Sequence, residues 1–140
     1  MGNMSGKELL TATIEETEKA VLAGKTKLSI IDTRTPAQMM IPKRIPTAKN
    51  IPGPVAIKEA FALDNADFKN RFGVDKPVKG DSIILHCNSG MGAGKTQSTI
   101  MNDDKYKDLA NAYVFKNLSG GVRKWLDVHP DQFEEVNSDK

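Results

Sequence analysis

Two short apolar runs, "LSIID" at residues 28–32 and "DSIILH" at 81–86, constrain the fold more than any other part of the chain. Each has strand length, is rich in isoleucine and lacks the apolar–polar alternation of a strand with one wet face. Such strands are buried on both faces, the usual state of a parallel sheet. Parallel neighbours need crossover connections, and helical patterns occupy the intervals between the apolar runs. The expected architecture is α/β: one domain, a central parallel β-sheet with helices on both faces, and ligands beyond the carboxyl ends of the strands.

The remaining segments supply the elements this scheme needs. "ELLTAT" (8–13) reads as a first short strand, followed by a helix with a capping box from Thr13 to Glu16 and a stop at Gly24. Thr35, Pro36 and Gln38 form a second capping box with proline at the first helical position, predicting a short helix directly after "LSIID". "AKNIP" (48–52) is a short candidate strand. "AIKEAFAL" and "NADFKNRF" predict two short helices between 56 and 72, with Asp64 or Asn65 as the cap between them. A helix is expected from near Gly92, interrupted at "NDD" (102–104), where Asn and Asp side chains compete for backbone hydrogen bonds. A second short helix then runs from about Asp104 to Ala110. "YVFK" (113–116) is the last strand and "SGGVRKWLD" (119–127) the last helix, with Val122, Trp125 and Leu126 on one face.

At 140 residues, with 39% hydrophobic and 27% charged, the chain suits one domain with a single core. The expected bounds are 7–130 for the domain, with loose polar tails at 1–6 and 131–140. A net charge of +2 is too small to point to nucleic acid or an anionic membrane. No apolar run approaches the roughly 20 residues that span a bilayer, and the N-terminus lacks the apolar stretch of a signal peptide. Ser5 stands one place early for a myristoylation signal, and Glu8, Glu15, Glu16 and Glu18 are unlike a mitochondrial transit peptide, so a cytoplasmic location is expected. One cysteine, Cys87, excludes an internal disulfide and any multi-cysteine zinc site. No metal site and no cofactor is predicted, and no feature sets the oligomeric state.

Cys87 lies at the end of the second apolar run, in "ILHCNSGMGAGKT" (84–96). Small residues in "NSGMGAG" let successive backbone N–H groups turn toward one point, and the following helix adds its N-terminal dipole. Such a point favours a thiolate and binds an anion delivered to it, so one loop activates the nucleophile and holds the substrate. The candidates are Cys87 as nucleophile, Asn88, Ser89, Gly90, Met91, Gly92 and Ala93 as the substrate-binding loop, and Lys95 as electrostatic support. A phosphate-loop reading of the same stretch fails, because Ser89 stands where the first glycine of GxxxxGK[ST] belongs and no apolar strand ending in Asp follows. His86 is expected to pack at the strand end rather than to act as a base.

Three segments, in order, resemble signatures of the rhodanese family. "LSIIDTRTPAQMMIPKRIPTAKNIP" carries the strand ending in Asp-x-Arg and a later Ile-Pro-x-Ala-x-Asn-Ile-Pro, "DSIILHCNSGMGAGKT" the cysteine loop, and "VFKNLSGGVRKWLD" the Gly-Gly-x-x-x-Trp helix. The resemblance covers about residues 8–128, and "FALDNADFKNRFGVDKPVKGDS" is similar to the same segment of single-domain eukaryotic thiosulfate sulfurtransferases. It implies a single rhodanese-like domain and a sulfur relay. Cys87 would take a sulfane sulfur from thiosulfate, or from a related donor such as mercaptopyruvate, and hold it as a persulfide. An acceptor thiol such as glutathione, or cyanide, would then remove it. The implied partners are these small molecules, with neither nucleic acid nor membrane. Asp32 and Arg34, at the end of a neighbouring strand, are candidate electrostatic support, with a structural role preferred to substrate contact, and Trp125 is expected in the core.

The chain departs from the family in three places. Thiosulfate-specialised members often carry a basic residue in the loop, whereas "CNSGMGA" is uncharged and closer to the Cys-Gly-Ser-Gly loops of mercaptopyruvate sulfurtransferases, which leaves the donor open. The family's Gly-His-Ile-Pro is Lys43-Arg44-Ile45-Pro46 here, with its cations expected on the surface. The stretch from Cys87 to Gly120 is longer than usual, consistent with an inserted "NDDKYKD" turn (102–108) away from the chemistry. The loop also resembles the Cys-x5-Arg loop of cysteine phosphatases and arsenate reductases, but Ala93 replaces the arginine that would hold a phosphoryl group. The alternative function is a catalytically weak rhodanese-like protein-binding module.

Overall fold

The structure, a computed structural model, describes residues 8–136. Five parallel strands make the main sheet: β1 Leu10–Ala12, β2 Ile30–Asp32, β4 Lys49–Asn50, β5 Ser82–His86 and β6 Val114–Leu118, in the order β1-β6-β5-β2-β4. A separate antiparallel pair joins β3 Lys43–Arg44 to β7 Glu134–Glu135. Six helices connect them: α1 Ile14–Ala23, α2 Pro54–Phe61, α3 Asn65–Phe72, α4 Met91–Asn102, α5 Lys107–Ala112 and α6 Gly121–Val128.

Local chemistry sets most of the boundaries. Thr13 accepts from the Glu16 amide at 3.0 Å while the Glu16 carboxylate accepts from the Thr13 amide at 2.9 Å, a reciprocal cap worth about 1 kcal/mol. Asp64, rather than Asn65, caps α3 by accepting from the Asp67 amide at 2.8 Å. After β2 there is only one 3₁₀ turn, Pro36–Gln38, in which Gln38 Oε1 accepts from the Thr35 amide. The break at "NDD" is present: α4 ends at Asn102, a 3₁₀ turn covers Asp104–Tyr106, and α5 begins at Lys107.

The apolar strands are buried on both faces, as their composition requires. Ile83, Leu85 and Cys87 face the layer of α2 to α5, packing with Ile57, Phe68, Ile100 and Phe115. Ile84 faces α1 and α6 and packs with Ile30, Leu118, Val122 and Trp125. Each such side chain contributes about 1.5–3 kcal/mol. Strand β2 is interior, between β5 and β4, while β5 takes the middle of the sheet. Trp125 is a core residue, as expected, and its indole N–H donates to the Gln132 carbonyl at 2.6 Å.

The expected loose tail from residue 131 does not hold as far as Val136. Strand β7 pairs with β3, Lys43 Nζ lies 4.3 Å from the centre of the Phe133 ring, and Glu134 accepts from the Thr47 amide at 2.7 Å. His129 is also engaged, with Nε2 2.6 Å from Glu18 on α1 and its ring against Trp125. Residues 1–6 and 137–140, expected as parts of loose tails, lie outside the described residues. Among the described residues no helix is long and apolar enough to cross a membrane.

Candidate functional site

Cys87 follows β5 at its carboxyl end, and the chain reverses through Asn88, Ser89 and Gly90 into α4. The loop is shaped by where its carbonyls go. The His86 carbonyl accepts from the Thr33 amide at 2.9 Å and from Thr33 Oγ1 at 3.1 Å. The Cys87 carbonyl accepts from the Val122 amide at 2.9 Å, and the Asn88 carbonyl from the Arg123 amide at 3.1 Å, both in the first turn of α6. Asn117 Nδ2, at the end of β6, donates to the Gly90 carbonyl at 3.1 Å. With these carbonyls held from outside, the Gly90 amide turns toward the sulfur. Gly90, at φ +101°, donates its N–H to Cys87 Sγ at 2.9 Å. The amides of Met91, Gly92 and Ala93 open α4, where backbone donors have no partner within the helix.

The Gly-Gly pair before α6 follows from the same packing. A Cβ on Gly121, whose φ is +60°, would stand 2.6 Å from the Cys87 carbonyl oxygen and 2.7 Å from the Asn88 carbonyl group. Only glycine lets α6 approach closely enough for its amides to hold the loop.

Below the loop sits a charged cluster. Asp32, fully buried, binds Arg34 through Nε and Nη2, both at 2.9 Å, and Arg44 through Nε at 2.8 Å. Arg34 spends its other N–H groups on the carbonyls of Ile41 and Lys43 and on Asn88 Oδ1. Arg34 is 1% exposed, and its donors are committed to Asp32, to the Ile41 and Lys43 carbonyls and to Asn88, so it ties these loops together. Arg44 corrects the expectation of a surface cation: its side chain is 17% exposed and paired with Asp32. Burial by itself pushes the Asp32 carboxyl up, but the hydrogen bonds from Arg34 and Arg44 outweigh it and hold the group below its ordinary range.

His86, paired with Asp32 across β2 and β5, is buried, and desolvation pushes its pKa down to about 4, so the ring is neutral near pH 7. Nδ1 lies 3.2 Å from the Cys87 carbonyl, which can only accept, so Nδ1 carries the proton. Nε2 has no partner among the described residues. A neutral ring hydrogen-bonded to backbone suits packing, not proton transfer to substrate.

A pocket of about 420 Å³ opens over the sulfur. Of the predicted site residues, Cys87, Asn88, Ser89, Met91, Gly92, Lys95 and Arg34 line it. Ala93 does not: it is fully buried in the core layer beneath α4, so only its amide belongs to the loop. Asp32 is buried below, and Gly90 acts through its N–H. Asn88 spends its side chain on the neighbouring loop, accepting from the Ile41 amide at 3.2 Å and donating to the Gln38 carbonyl at 2.6 Å. The sequence reading missed the walls contributed by Thr33, Gln38, Pro52, Gly53, Pro54 and Thr96. It also missed Asn117, for which a polar residue at the carboxyl end of a sheet strand was the available signal. The inserted turn at 102–108 lies at the far end of α4, roughly 18 Å from the loop at 1.5 Å per residue. Among the described residues no group of three or more His, Cys, Asp or Glu side chains is placed to hold a metal ion.

The parallel sheet, the cysteine at the carboxyl end of its middle strand and the glycine-bound loop define a known class. The chain belongs to the rhodanese-like domain family, whose model matches residues 13–127. Among curated relatives it is 25% identical over 123 residues to a thiosulfate:glutathione sulfurtransferase of Saccharomyces cerevisiae, covering 86% of this chain and 80% of that protein. It is 38% identical over 96 residues to the rhodanese domain-containing protein CG4456 of Drosophila melanogaster, covering 69% of this chain and 79% of the other. Its fold matches the human single-domain sulfurtransferase TSTD1 with a TM-score of 0.56 and 21% identity, over 86% of this chain and 97% of that one.

Proposed function

We propose that the protein is a sulfurtransferase in which Cys87 carries a sulfane sulfur as a persulfide. The observation that supports this best is the Gly90 N–H donating to Cys87 Sγ at 2.9 Å at the floor of an open pocket. A donor aimed at sulfur stabilises negative charge there before and after transfer. The thiolate attacks the outer sulfur of thiosulfate, a new S–S bond forms, the donor S–S bond breaks, and its electron pair leaves on sulfite. The outer sulfur then sits among the amides that open α4. An acceptor thiolate, of which glutathione is the example offered by the yeast relative's name, takes that sulfur and returns Cys87 to the thiolate. With mercaptopyruvate as donor the thiolate attacks the thiol sulfur, the donor C–S bond breaks and its electron pair leaves as the enolate of pyruvate, which takes up a proton; the uncharged loop leaves room for either donor. The two half-reactions give ping-pong kinetics.

Intact-mass measurement after treatment with thiosulfate, and separately with mercaptopyruvate, tests the proposal. A gain of one sulfur, removed by cyanide and absent in Cys87→Ser, is expected. No gain from either donor would leave the protein-binding module as the better reading.

A further inference from the structure

Gly92 stands beside the sulfur without covering it: a Cβ there would lie 3.8 Å from Sγ, so any larger side chain would occupy the space above the thiol. The pocket this leaves, about 420 Å³, is in the range of roughly 300–1,000 Å³ that holds organic ligands. Three residues further along α4, about 5 Å of helical rise, Lys95 lines the same pocket. It is exposed and has no ion pair among the described residues, in contrast to Arg34, whose donors are committed. Thr96 also lines the pocket. It is only 6% exposed, and its hydroxyl has no protein partner among the described residues.

An ammonium and an unpaired hydroxyl on adjacent residues, both lining the pocket that holds the sulfur, match a carboxylate held apart from the reacting atom. We propose that Lys95 and Thr96 form a carboxylate subsite that selects an acceptor thiol carrying an acidic group several bonds from its sulfur. The inference rests on the sulfur-transfer reading. In the step it serves, the acceptor thiolate attacks the outer persulfide sulfur and a new S–S bond forms. The bond to Sγ breaks, and its electron pair stays on Sγ under the Gly90 N–H. One thiolate is consumed and one is produced, so no oxidant or reductant is needed.

S-methylglutathione, which keeps both carboxylates but has no thiol, is the probe. It should slow alkylation of Cys87 by iodoacetamide in the unmodified protein, and the concentration needed should rise about tenfold in Lys95→Met and several-fold in Thr96→Val. Lys95→Arg and Thr96→Ser should protect nearly as well as the parent chain. The diethyl ester of the same probe should protect poorly. In turnover, Lys95→Met should lower the ratio of kcat/KM for glutathione over 2-mercaptoethanol by about tenfold. Equal protection by acid and ester, or a ratio unchanged in Lys95→Met, would overturn the subsite. If protection behaves as expected but Cys87 never gains sulfur, sulfur transfer fails while the subsite stands as a carboxylate-binding site.

Discussion

Asp32, Arg34 and Arg44 carry three formal charges below the cysteine loop, and residues 87–93 carry none, yet the loop faces the pocket. The cluster spends its charges on itself and on nearby carbonyls. Charges taken out of water need partners, and once satisfied they have little left to offer a ligand. Backbone amides need no counter-ion, so the loop can keep donors pointed at Sγ and toward an arriving anion. In this molecule buried side-chain charge fixes the architecture, and the peptide dipole of Gly90 provides the electrostatics at the sulfur itself.

That division can be broken from either side. The largest effect falls on the loop: Cys87→Ser should abolish sulfur loading in an intact-mass assay while leaving the thermal melt close to that of the parent. In the cluster, Asp32→Asn removes the anion between two guanidinium groups and should cost about 3–5 kcal/mol in a urea titration. Retention of parental stability would show the cluster to be dispensable.

pH separates the two regions further. The neutral His86, pushed down to about 4, makes the unfolded chain bind a proton that the folded chain refuses between about 6.5 and 4. Stability present above pH 6.5 should therefore fall as pH drops toward 4, by up to about 3 kcal/mol at roughly 1.4 kcal/mol per unit, and His86→Leu should flatten this slope. The lowered Asp32 group acts in the same direction at more acid pH, its contribution being present above its unfolded value and lost as pH falls through the folded one.

Gly121→Ala tests the seam between loop and α6. Its added Cβ would enter the Cys87 and Asn88 carbonyls, costing about 1–3 kcal/mol, and the sulfur-loading rate should fall more than the lost stability explains. The smallest effect is expected at the exposed Lys69–Asp75 pair, where Lys69→Ala should melt like the parent chain.

The features readable in the sequence were those written locally. The apolar runs at 28–32 and 81–86, the caps at Thr13 and Asp64, the break at 102–104 and the glycine-rich turn after Cys87 each depend on a few neighbouring residues. Pairing of Lys43–Arg44 with Glu134–Glu135 has no local signal, since two charged dipeptides far apart read as solvated surface until tertiary contacts join them. Arg44 was misplaced for that reason. The pocket walls at Thr33, Gln38, Pro52 and Thr96 come from separate loops and one helix, brought together only by the strand order.

The hydrogen bonds from Val122 and Arg123 to the carbonyls of Cys87 and Asn88 also have a meaning in time. A chain made from its N-terminus presents its thiol well before the helix that shapes the surrounding loop has been synthesised. Until residues 121–123 arrive, those two carbonyls face water and the peptide groups of the loop are free to turn the other way. The thiol is thus older than its environment, and the sulfur loading proposed for Cys87 should appear on growing chains only once α6 has been completed.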